Sequence, residues 1–417
     1  MMSTQTTKNT NHYFGVLVVL AMLASLLVVL SARPTHASTT FTVNQTSDAS
    51  DENLADGLCD INSFVSGDQC TLRAAMEQAN ATSGADTINF NLFGSGPFTI
   101  TPTSQLPTIA DRVIINGYSQ PGTSPNTLPR GTNATLLIEL DGTQAGSGDG
   151  LEIGAGGSGS LIKGLVIDRF SSQGIDVFSS SAALTNVRIE GNFVGTDPSG
   201  TQALGNRGDG IEMDASDSVV GGSTVAKRNL ISGNDVDGLS VSAVNDVRVE
   251  NNLIGTEADG VGALGNLFNG VDVSGTTGVS IVRNSIFSNG QLGIDLGVDG
   301  RTLNDLGDAD SGANDLQNFP VLTSAKTGGG KTTVKGKLNS RPNSGYLIQF
   351  FSNPSGTDEG KKFVGQKSVT TDGSGNATFT FTPSSKVGVG QTITATATKN
   401  TTGNTSEFSD AREVTSS

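Results

Sequence analysis

Carboxylate side chains recur in this chain at one position within short apolar triplets. A glycine followed by an apolar, a polar and an apolar residue recurs along the chain, and six copies have their glycines at positions 150, 174, 210, 238, 270 and 293. In a strand the two apolar residues of a triplet point one way and the polar residue points the other way. The polar residues are Glu152, Asp176, Glu212, Ser240, Asp272 and Asp295. Neighbouring carboxyl groups can act as acid and base in glycoside hydrolysis, and rows of carboxylates can bind cations.

Aspartates in the turns before two of these triplets enlarge the candidate site. Asp209 precedes Gly210, and Asp237 precedes Gly238. We therefore predict a catalytic group drawn from these turns and strands, made of Asp209, Glu212, Asp237 and Asp272. The alternative interpretation is a solvated acidic face, because aspartate is common in turns and stacked carboxylates repel one another.

The spacing of the triplets indicates how they are arranged. Successive glycines are 24, 36, 28, 32 and 23 residues apart, which is typical of solenoid coils with loops of different lengths between recurring strands. Residues 187–213 and 247–273 are near copies at an offset of 60 residues. We expect about eight or nine coils spaced ~4.8 Å apart, with the acidic residues in one column.

Asparagine also recurs once per coil, just after a strand. Stacked asparagine amides can hydrogen-bond from one coil to the next at the strand spacing. The sequence therefore predicts a structural ladder of Asn192, Asn229, Asn252 and Asn284, with Asp168 in the same column.

The first 37 residues have the pattern of a signal peptide. Lys8 precedes an apolar run from Phe14 to Leu30, and a small-x-small cleavage pattern ends at Ala37. An uncleaved membrane anchor is the alternative, because the run nearly reaches spanning length. Cleavage predicts a secreted or cell-surface protein without membrane contact, and it removes both histidines, His12 and His36.

The charge of the chain limits its partners. The formal net charge is −15, and it becomes −17 when Lys8 and Arg33 are removed with the signal peptide. Such a surface disfavours nucleic acid and repels polyuronates unless cations bridge them. We expect a monomer whose partner is an extracellular polysaccharide or a cell-envelope matrix.

Residues 38–85 contain both cysteines and the strongest helical pattern. In an exported chain Cys59 and Cys70 are expected to form a disulfide, with two buried thiols as the alternative. Thr71 can cap a helix. Its apolar stripe consists of Leu72, Ala75, Met76 and Ala79.

The same region resembles a known family. Residues 70–80, Cys-Thr-Leu-Arg-Ala-Ala-Met-Glu-Gln-Ala-Asn, are similar to the Cys-Ser-Leu-Arg-Glu-Ala (CSLREA) domain, with Ala74 and Ala75 where the family has Glu-Ala. Residues 56–60, Asp-Gly-Leu-Cys-Asp, match the segment that precedes the motif in that family. The resemblance implies an N-terminal cap on an exported bacterial β-helix protein, and it implies no reaction.

Two further patterns resemble exported right-handed parallel β-helix proteins of the pectin-lyase-like fold. They are the repeated Gly-Thr-x-x-x-Gly-x-x-Ala-Leu-Gly-Asn and the segment 308–320. This resemblance implies a right-handed parallel β-helix over residues 86–322.

Residues 323–417 contain five alternating strands separated by turns, which predicts an immunoglobulin- or fibronectin-like β-sandwich. The predicted fold class is therefore all-β, a β-helix with a helical N-terminal cap and a C-terminal sandwich.

Oxygen-rich turns supply candidates for a calcium site. The first candidate set is Asp305, Asp308, Asp310, Asn314 and Asp315, and the second is the acidic loop 48–60. The alternative is an ordinary Asp/Asn-rich turn, because the spacing of an EF-hand is missing.

The absence of familiar sugar-cleaving motifs bears on function. Polygalacturonases carry Gly-His-Gly and Arg-x-Lys, pectate lyases carry Trp-x-Asp-His and Arg-x-Pro-x-x-Arg, and residues 38–417 contain none of them. We therefore predict a non-catalytic scaffold that binds extracellular glycan or matrix. The alternative is a polysaccharide lyase or glycoside hydrolase that uses the carboxylates.

Two Gly-rich insertions, 195–209 and 255–269, are expected at one edge of the β-helix and are candidates for ligand contact.

Overall fold

Three parallel sheets, built from strands that stack coil upon coil, make up most of the computed structural model. The structure describes residues 38–178, 183–297 and 299–417, and the predicted signal peptide lies outside these ranges. The parallel β-helix and the sandwich-like C-terminal part confirm the predicted fold class. No helix within the described ranges combines the length and the apolar character that crossing a membrane requires.

Each complete coil supplies one strand to each sheet. Sheet 1 has eight strands, which are Thr40–Val43, Asp86–Phe90, Val113–Asn116, Leu161–Lys163, Arg188–Glu190, Val219–Gly221, Arg248–Glu250 and Ser280–Val282. Sheet 2 has seven, which are Phe98–Ile100, Ile138–Asp141, Val166–Asp168, Phe193–Val194, Leu230–Ile231, Leu253–Ile254 and Ser285–Ile286. Sheet 3 has six, which are Leu151–Ile153, Ile175–Val177, Ile211–Met213, Leu239–Ser242, Val271–Ser274 and Ile294–Leu296. A separate pair is formed by Leu184–Thr185 and Ala215–Ser216.

The apolar residues of each triplet fill the interior of the coils. Ile211 and Met213 are fully buried, whereas Glu212 between them is half-buried on the outside. The glycine before each triplet lies where two coils approach closely. A Cβ atom on Gly210 would be 2.6 Å from the carbonyl oxygen of Gly238 in the next coil. This close approach explains why glycine begins the triplets.

The one α-helix of the described residues, Leu72–Ala81, packs against the first strands of sheet 1. A disulfide joins Cys59 to Cys70 just before it. Strand Thr40–Val43 pairs in parallel with Asp86–Phe90, so the first strand of the β-helix lies within the segment predicted to be a cap. The 3-10 helices are Gly117–Ser119, Gly142–Gln144, Val225–Lys227 and Ala313–Leu316.

The four predicted ladder asparagines form one hydrogen-bonded column. The side-chain amide of Asn192 donates to Asn229 Oδ1 (3.3 Å), that of Asn229 donates to Asn252 Oδ1 (2.9 Å), and that of Asn252 donates to Asn284 Oδ1 (3.1 Å). Each amide also donates to a backbone carbonyl of the preceding coil, as Asn229 does to Ile189 (2.9 Å). The column therefore ties successive coils together.

Asp168 does not belong to this column, contrary to expectation. It ends strand Val166–Asp168 of sheet 2 and pairs in register with Asp141. Its carboxylate accepts a hydrogen bond from Arg169 Nε (2.8 Å), and Arg169 also pairs with Glu139 (3.1 Å). Asp168 is the last residue of a sheet 2 strand, whereas the ladder asparagines lie in the turns between a sheet 1 strand and the following sheet 2 strand.

A second asparagine column was missed by the sequence analysis. Asn206 donates to Asn234 (3.0 Å), Asn234 to Asn266 (2.9 Å) and Asn266 to Asn289 (3.0 Å), in each case from Nδ2 to Oδ1. Asn206 and Asn266 close the repeated Ala-Leu-Gly-Asn pattern. That pattern was the available signal, because its last residue recurs in both near-copy coils.

The C-terminal part contains seven strands, two more than predicted. They are Val321–Gly328, Lys331–Asn339, Gly345–Asn353, Lys362–Thr370, Asn376–Phe381, Thr392–Lys399 and Arg412–Ser416. The last strand pairs in parallel with the first and antiparallel with Thr392–Lys399. It thereby joins two groups of strands, whose inner faces share one apolar core.

The C-terminal part also covers the last coil of the β-helix. Ile286 N–H donates to the Gly360 carbonyl (3.0 Å), and Gly360 N–H donates to the Ile286 carbonyl (2.8 Å). Thr405 Oγ1 accepts a hydrogen bond from Ile281 N–H (3.0 Å), and Phe408 packs into the β-helix core. Residues 38–417 consequently form one compact unit.

The asparagine column supplies a first prediction. Replacement Asn229→Ala leaves the Ile189 carbonyl and the Asn192 N–H without their partner inside the protein, so we expect the free energy of unfolding to fall by about 3 kcal/mol. Urea unfolding followed by circular dichroism measures the change. Asn91→Ala, at an exposed residue without a side-chain hydrogen bond in the structure, is the matched control. Equal stability of the two variants would contradict the structural role of the column.

Candidate functional site

Sheet 3 places the polar residues of the six triplets in one column on its outer surface. The strand register pairs Glu152 with Asp176, Asp176 with Glu212, and Glu212 with Ser240. It then pairs Ser240 with Asp272 and Asp272 with Asp295. We call this column the acidic row. Successive members are ~4.8 Å apart at the backbone, which is the spacing of neighbouring strands.

A second polar column, the turn row, precedes the strands of sheet 3 and consists of Asp149, Gln173, Asp209, Asp237 and Asn269. Asp209 Oδ1 accepts a hydrogen bond from Asp237 N–H (2.9 Å), and Asp237 Oδ1 accepts one from Asn269 N–H (2.6 Å). Asp149 Oδ1 accepts one from Gln173 N–H (2.9 Å). Because these bonds join one coil to the next, Asp209 and Asp237 each contribute to the structure of the turns.

The acidic row is unusually poor in compensating partners. In the described part of the chain no lysine or arginine lies within 4.0 Å of its carboxylates. One buried oxygen of each of Asp176, Asp272 and Asp295 also lacks a hydrogen-bond partner there. Asp272 and Asp295 are only 4% and 2% exposed. Buried charges without partners are costly, so protons or cations must relieve this row.

The pKa values of the acidic row, and of Asp209 and Asp237 in the turn row, reflect burial. Burial raises the pKa of Asp176, Asp209 and Asp272 to about 7. Neighbouring carboxylates add to the effect, since Glu212 raises the pKa of Asp176 and Asp237 raises that of Asp272. Burial likewise raises the pKa of Glu212 and of Asp237. At neutral pH the row therefore carries fewer charges than it has carboxyl groups.

The two ends of the acidic row differ in accessibility. Asp272 and Asp295 are too buried to contact a polymer, whereas Asp176 and Glu212 are half-buried. Gln173 Nε2 donates to Glu212 Oε2 (2.5 Å). Phe178, two residues after Asp176, is 47% exposed. The second and third triplets and the residues directly beside them in sequence thus provide an accessible acidic pair, an amide and an exposed aromatic ring.

The structure brings the four predicted catalytic residues into one neighbourhood. Asp209 and Asp237 are hydrogen-bonded in the turn row, while Glu212 and Asp272 flank Ser240 in the acidic row. The buried oxygen of Asp272 has no route to a substrate in this arrangement. Asp176 belongs to the acidic row but is not among the four residues predicted to be catalytic. Sequence alone carries no signal for its exposure, which depends on the lengths of the neighbouring loops.

The predicted calcium residues are brought together only in part. Asp305, Asp308 and Asp310 offer carboxylate oxygens that lie within 4.8 Å of one another. One buried oxygen of Asp310 has no partner in the described residues, which suits a hard cation. Asn314 does not join them, because its amide donates to the backbone carbonyls of Val279 (2.8 Å) and Thr405 (3.0 Å).

Asp315 and Asp308 are also committed to protein contacts. Asp315 Oδ2 accepts a hydrogen bond from Asn404 Nδ2 (2.8 Å). Asp308 is buried, and its two oxygens accept hydrogen bonds from Asn318 N–H (2.7 Å) and Ser340 Oγ (2.5 Å). Both oxygens of Asp305 accept hydrogen bonds from Ala309 N–H, so Asp310 has the freest oxygen in the set. In the second candidate loop, Asp48 instead forms an ion pair with Arg73 (2.9 Å).

The two Gly-rich insertions stack directly on each other, as expected for loops from one edge. Ala258 N–H donates to the Gly200 carbonyl (2.8 Å). Ala258 also packs with Phe193 and Leu230 in a small apolar cluster on the outside of sheet 2. The insertions 195–209 and 255–269 thus cover apolar surface, and they lie on a different sheet from the acidic row.

Comparison with known proteins identifies no family. No family model matches the chain, and no curated protein matches it. The resemblance of residues 56–80 to the CSLREA domain therefore stays a prediction.

Solved structures of phage tailspikes show a distant similarity. The enzymatically active domain of tailspike protein 2 of bacteriophage CBA120 is 12% identical, with 81% of this chain and 74% of that chain covered and a TM-score of 0.19. Tailspike protein gp49 of the Acinetobacter baumannii bacteriophage Fri1, a capsular polysaccharide depolymerase, is 11% identical, with 89% and 96% covered and a TM-score of 0.18. These TM-scores are too low for either similarity to bear on ligand or activity.

The acidic row predicts an unusual dependence of stability on pH. Between about pH 4 and pH 7 an unfolded aspartate is ionised, while Asp272 in the folded state still binds its proton, because its folded pKa is about 7. The folded state then binds more protons than the unfolded state, so the free energy of unfolding falls as the pH rises through this range.

Variant Asp272→Asn tests this dependence, because it keeps the shape of the side chain without the charge. We expect it to reduce the loss of unfolding free energy between about pH 5 and pH 7.5 by roughly 2 kcal/mol, because the folded state holds one extra proton over about two pH units. Urea unfolding at the two pH values measures the loss. The matched control is Asp68→Asn, at an exposed aspartate whose side chain has no hydrogen bond in the structure. The same pH slope in Asp272→Asn and in the unchanged protein would rule out a raised pKa at Asp272.

Proposed function

We propose that this protein is an exported scaffold that binds an extracellular glycan along sheet 3. The observation that carries the proposal is the accessible part of the acidic row, where half-buried Asp176 and Glu212 lie beside Gln173 and the exposed ring of Phe178. Carboxylates and amides accept hydrogen bonds from hydroxyl groups. An exposed aromatic ring offers an apolar face on which a sugar ring can lie.

The expected ligand is a neutral polysaccharide. The chain has a formal net charge of −15, and sheet 3 concentrates carboxylates without basic neighbours. A polyuronate would be repelled from this face, whereas a neutral glycan brings only hydroxyl groups. Export is supported by the Cys59–Cys70 disulfide, which is typical of oxidising compartments.

A second candidate function, glycoside hydrolysis, is favoured by one specific observation. Asp176 has a pKa of about 7 and pairs in register with Glu212 in the next coil. A protonated carboxyl group can donate a proton to a glycosidic oxygen, and a nearby carboxylate can act as nucleophile or base. Retaining glycosidases hold the two groups about 5 Å apart, which is close to the spacing of neighbouring strands.

Glycan binding is tested with the full chain on a panel of neutral and acidic polysaccharides. We expect retention on one or more neutral glycans and about fivefold weaker binding in Phe178→Ala. The matched control is Phe93→Ala, since Phe93 is fully exposed in a loop away from sheet 3. Retention of no neutral glycan, or equal weakening by both variants, would refute the proposed contact.

The same incubations separate scaffold from hydrolase. New reducing ends that disappear in the double variant Asp176→Asn, Glu212→Gln would establish hydrolysis at this pair. Binding without new reducing ends would support the scaffold alone.

We further propose that calcium is bound by Asp305, Asp308 and Asp310. The group offers hard oxygen ligands with an unpartnered oxygen on Asp310, and it lies in the segment that leads into the C-terminal strands. A bound cation would hold this segment in its folded form, so calcium stabilises the protein by mass action.

The calcium proposal predicts a shift in thermal unfolding. Millimolar calcium should raise the unfolding temperature of the full chain by several degrees, and Asp310→Asn should remove most of that increase. Asp299→Asn, at an acidic residue outside the group, serves as the control. An increase that survives in Asp310→Asn would place the cation elsewhere, with the acidic row as the next location to examine.

A further inference from the structure

Two cavities lie where the last coils of the β-helix meet the C-terminal strands. The larger is an open cleft of about 560 Å³ between sheet 1 and strands Gly345–Asn353 and Thr392–Lys399. The smaller, of about 160 Å³, lies between sheet 2, the loop around Gly131 and strand Lys362–Thr370. Arg283 lines both cavities. We call the two together the seam.

The seam differs in charge from the rest of the molecule. No aspartate or glutamate lines the smaller cavity, and Asp246 alone does so in the cleft. The basic residues that line the seam are Arg130, Arg228, Arg248, Arg283, Lys361, Lys362 and Lys399. They make up seven of the 25 basic residues in a chain with a formal net charge of −15. Positive charge is therefore concentrated where the two parts of the fold meet.

Neighbouring carboxylates do not neutralise this concentration. Glu250 is buried and is paired with both Arg248 (2.7 Å) and Arg283. One carboxylate thus serves two guanidinium groups and leaves one positive charge in excess. Both arginines remain more than 40% exposed at their side chains. Their unused N–H groups can therefore reach a ligand in the cleft.

The smaller cavity contains cations that only neutral groups satisfy. Arg228 is 6% exposed, and its guanidinium donates to backbone carbonyls, including that of Gly131 (2.6 Å). Lys361 Nζ donates to the Val261 carbonyl (2.9 Å) and lies 4.0 Å from the ring centre of Phe287. Burial lowers the pKa of Lys361. Asp259 lies near Lys361 and partly offsets its charge, whereas Arg228 is a desolvated cation whose partners are all neutral. Such a cation favours an anionic group nearby.

We propose that the seam binds an acidic polysaccharide, with a carboxylate or sulfate group directed toward Arg283. The cleft volume is within the range of ligand pockets, about 300–1,000 Å³. Its wall also carries the exposed residues Gln366 and Asn400, whose amides can bond sugar hydroxyl groups. The smaller cavity accepts the charged substituent, and the cleft accepts the sugar rings.

This site is separate from the one proposed on sheet 3. The acidic row contacts neither cavity, since none of its residues lines them. The charges of the two surfaces are opposite, so they select glycans of opposite character. Failure of one proposal therefore leaves the other unaffected.

The test measures binding of the full chain to polygalacturonate, to dextran sulfate, which carries no carboxylate, and to neutral dextran by isothermal titration calorimetry at low salt. We expect binding to at least one acidic polymer that weakens as salt is added. The double variant Lys362→Gln, Lys399→Gln should weaken that binding about tenfold or more, because each lysine supplies a charge-assisted hydrogen bond. The two acidic polymers distinguish a carboxylate ligand from a sulfate ligand.

The matched control is Lys335→Gln, Lys337→Gln, which removes the same charge from exposed positions on strand Lys331–Asn339 outside the seam. Circular dichroism verifies that both double variants are folded. Binding that is weakened equally in both would show a general charge effect and overturn the proposal, as would no binding to either acidic polymer. Phe178→Ala should leave acidic-polymer binding unchanged, which separates this site from sheet 3.

Discussion

The in-register stacking of parallel coils is the constraint on which the rest of this structure depends. It places each residue beside the same kind of residue in the next coil, about 4.8 Å away. An asparagine amide has a donor and an acceptor, so a column such as Asn192 to Asn284 satisfies itself from coil to coil. Ionised carboxylates have only acceptors and like charges. The same stacking that stabilises an amide column therefore works against an acidic one.

The acidic row is tolerated because its members do not all carry a charge at once. Burial raises the pKa of Asp176 and Asp272 to about 7, and Ser240 interrupts the run of carboxyl groups. The turn row lowers the cost further, since backbone N–H groups donate to Asp209 and Asp237. A row of this kind responds to protons and cations in its surroundings. Its charge therefore depends on the pH and the cations around the protein as well as on the fold.

Much of the stacking of residues in columns could be predicted from the sequence, because the recurrence of the triplets indicates which residues occupy the same position in successive coils. The acidic row and the column from Asn192 to Asn284 are both consequences of that period. Asp168 was assigned to the wrong column because a polar residue after apolar residues can either end a strand or begin a turn. Only its pairing with Asp141 in sheet 2 shows that it ends a strand.

Burial and long-range contacts could not be predicted in this way. Asp176 is half-buried and Asp272 is buried, although both occupy the same position of the triplet. Asn314, expected to bind calcium, instead bonds to Val279 and Thr405, which are 35 and 91 residues away. The smaller cavity of the seam alone combines residues from five separated parts of the chain, and no local pattern brings them together.

The contact between Ile286 and Gly360 has a consequence for assembly. The last strands of a solenoid expose the backbone groups that would pair with a further coil, so an uncovered end is a template for another chain. Here the backbone N–H and carbonyl of Ile286 are both hydrogen-bonded to Gly360, and the N–H of Ile281 donates to Thr405 Oγ1. The C-terminal strands thus act as a terminator, which keeps a repeat-built rod from growing into a fibre at that end.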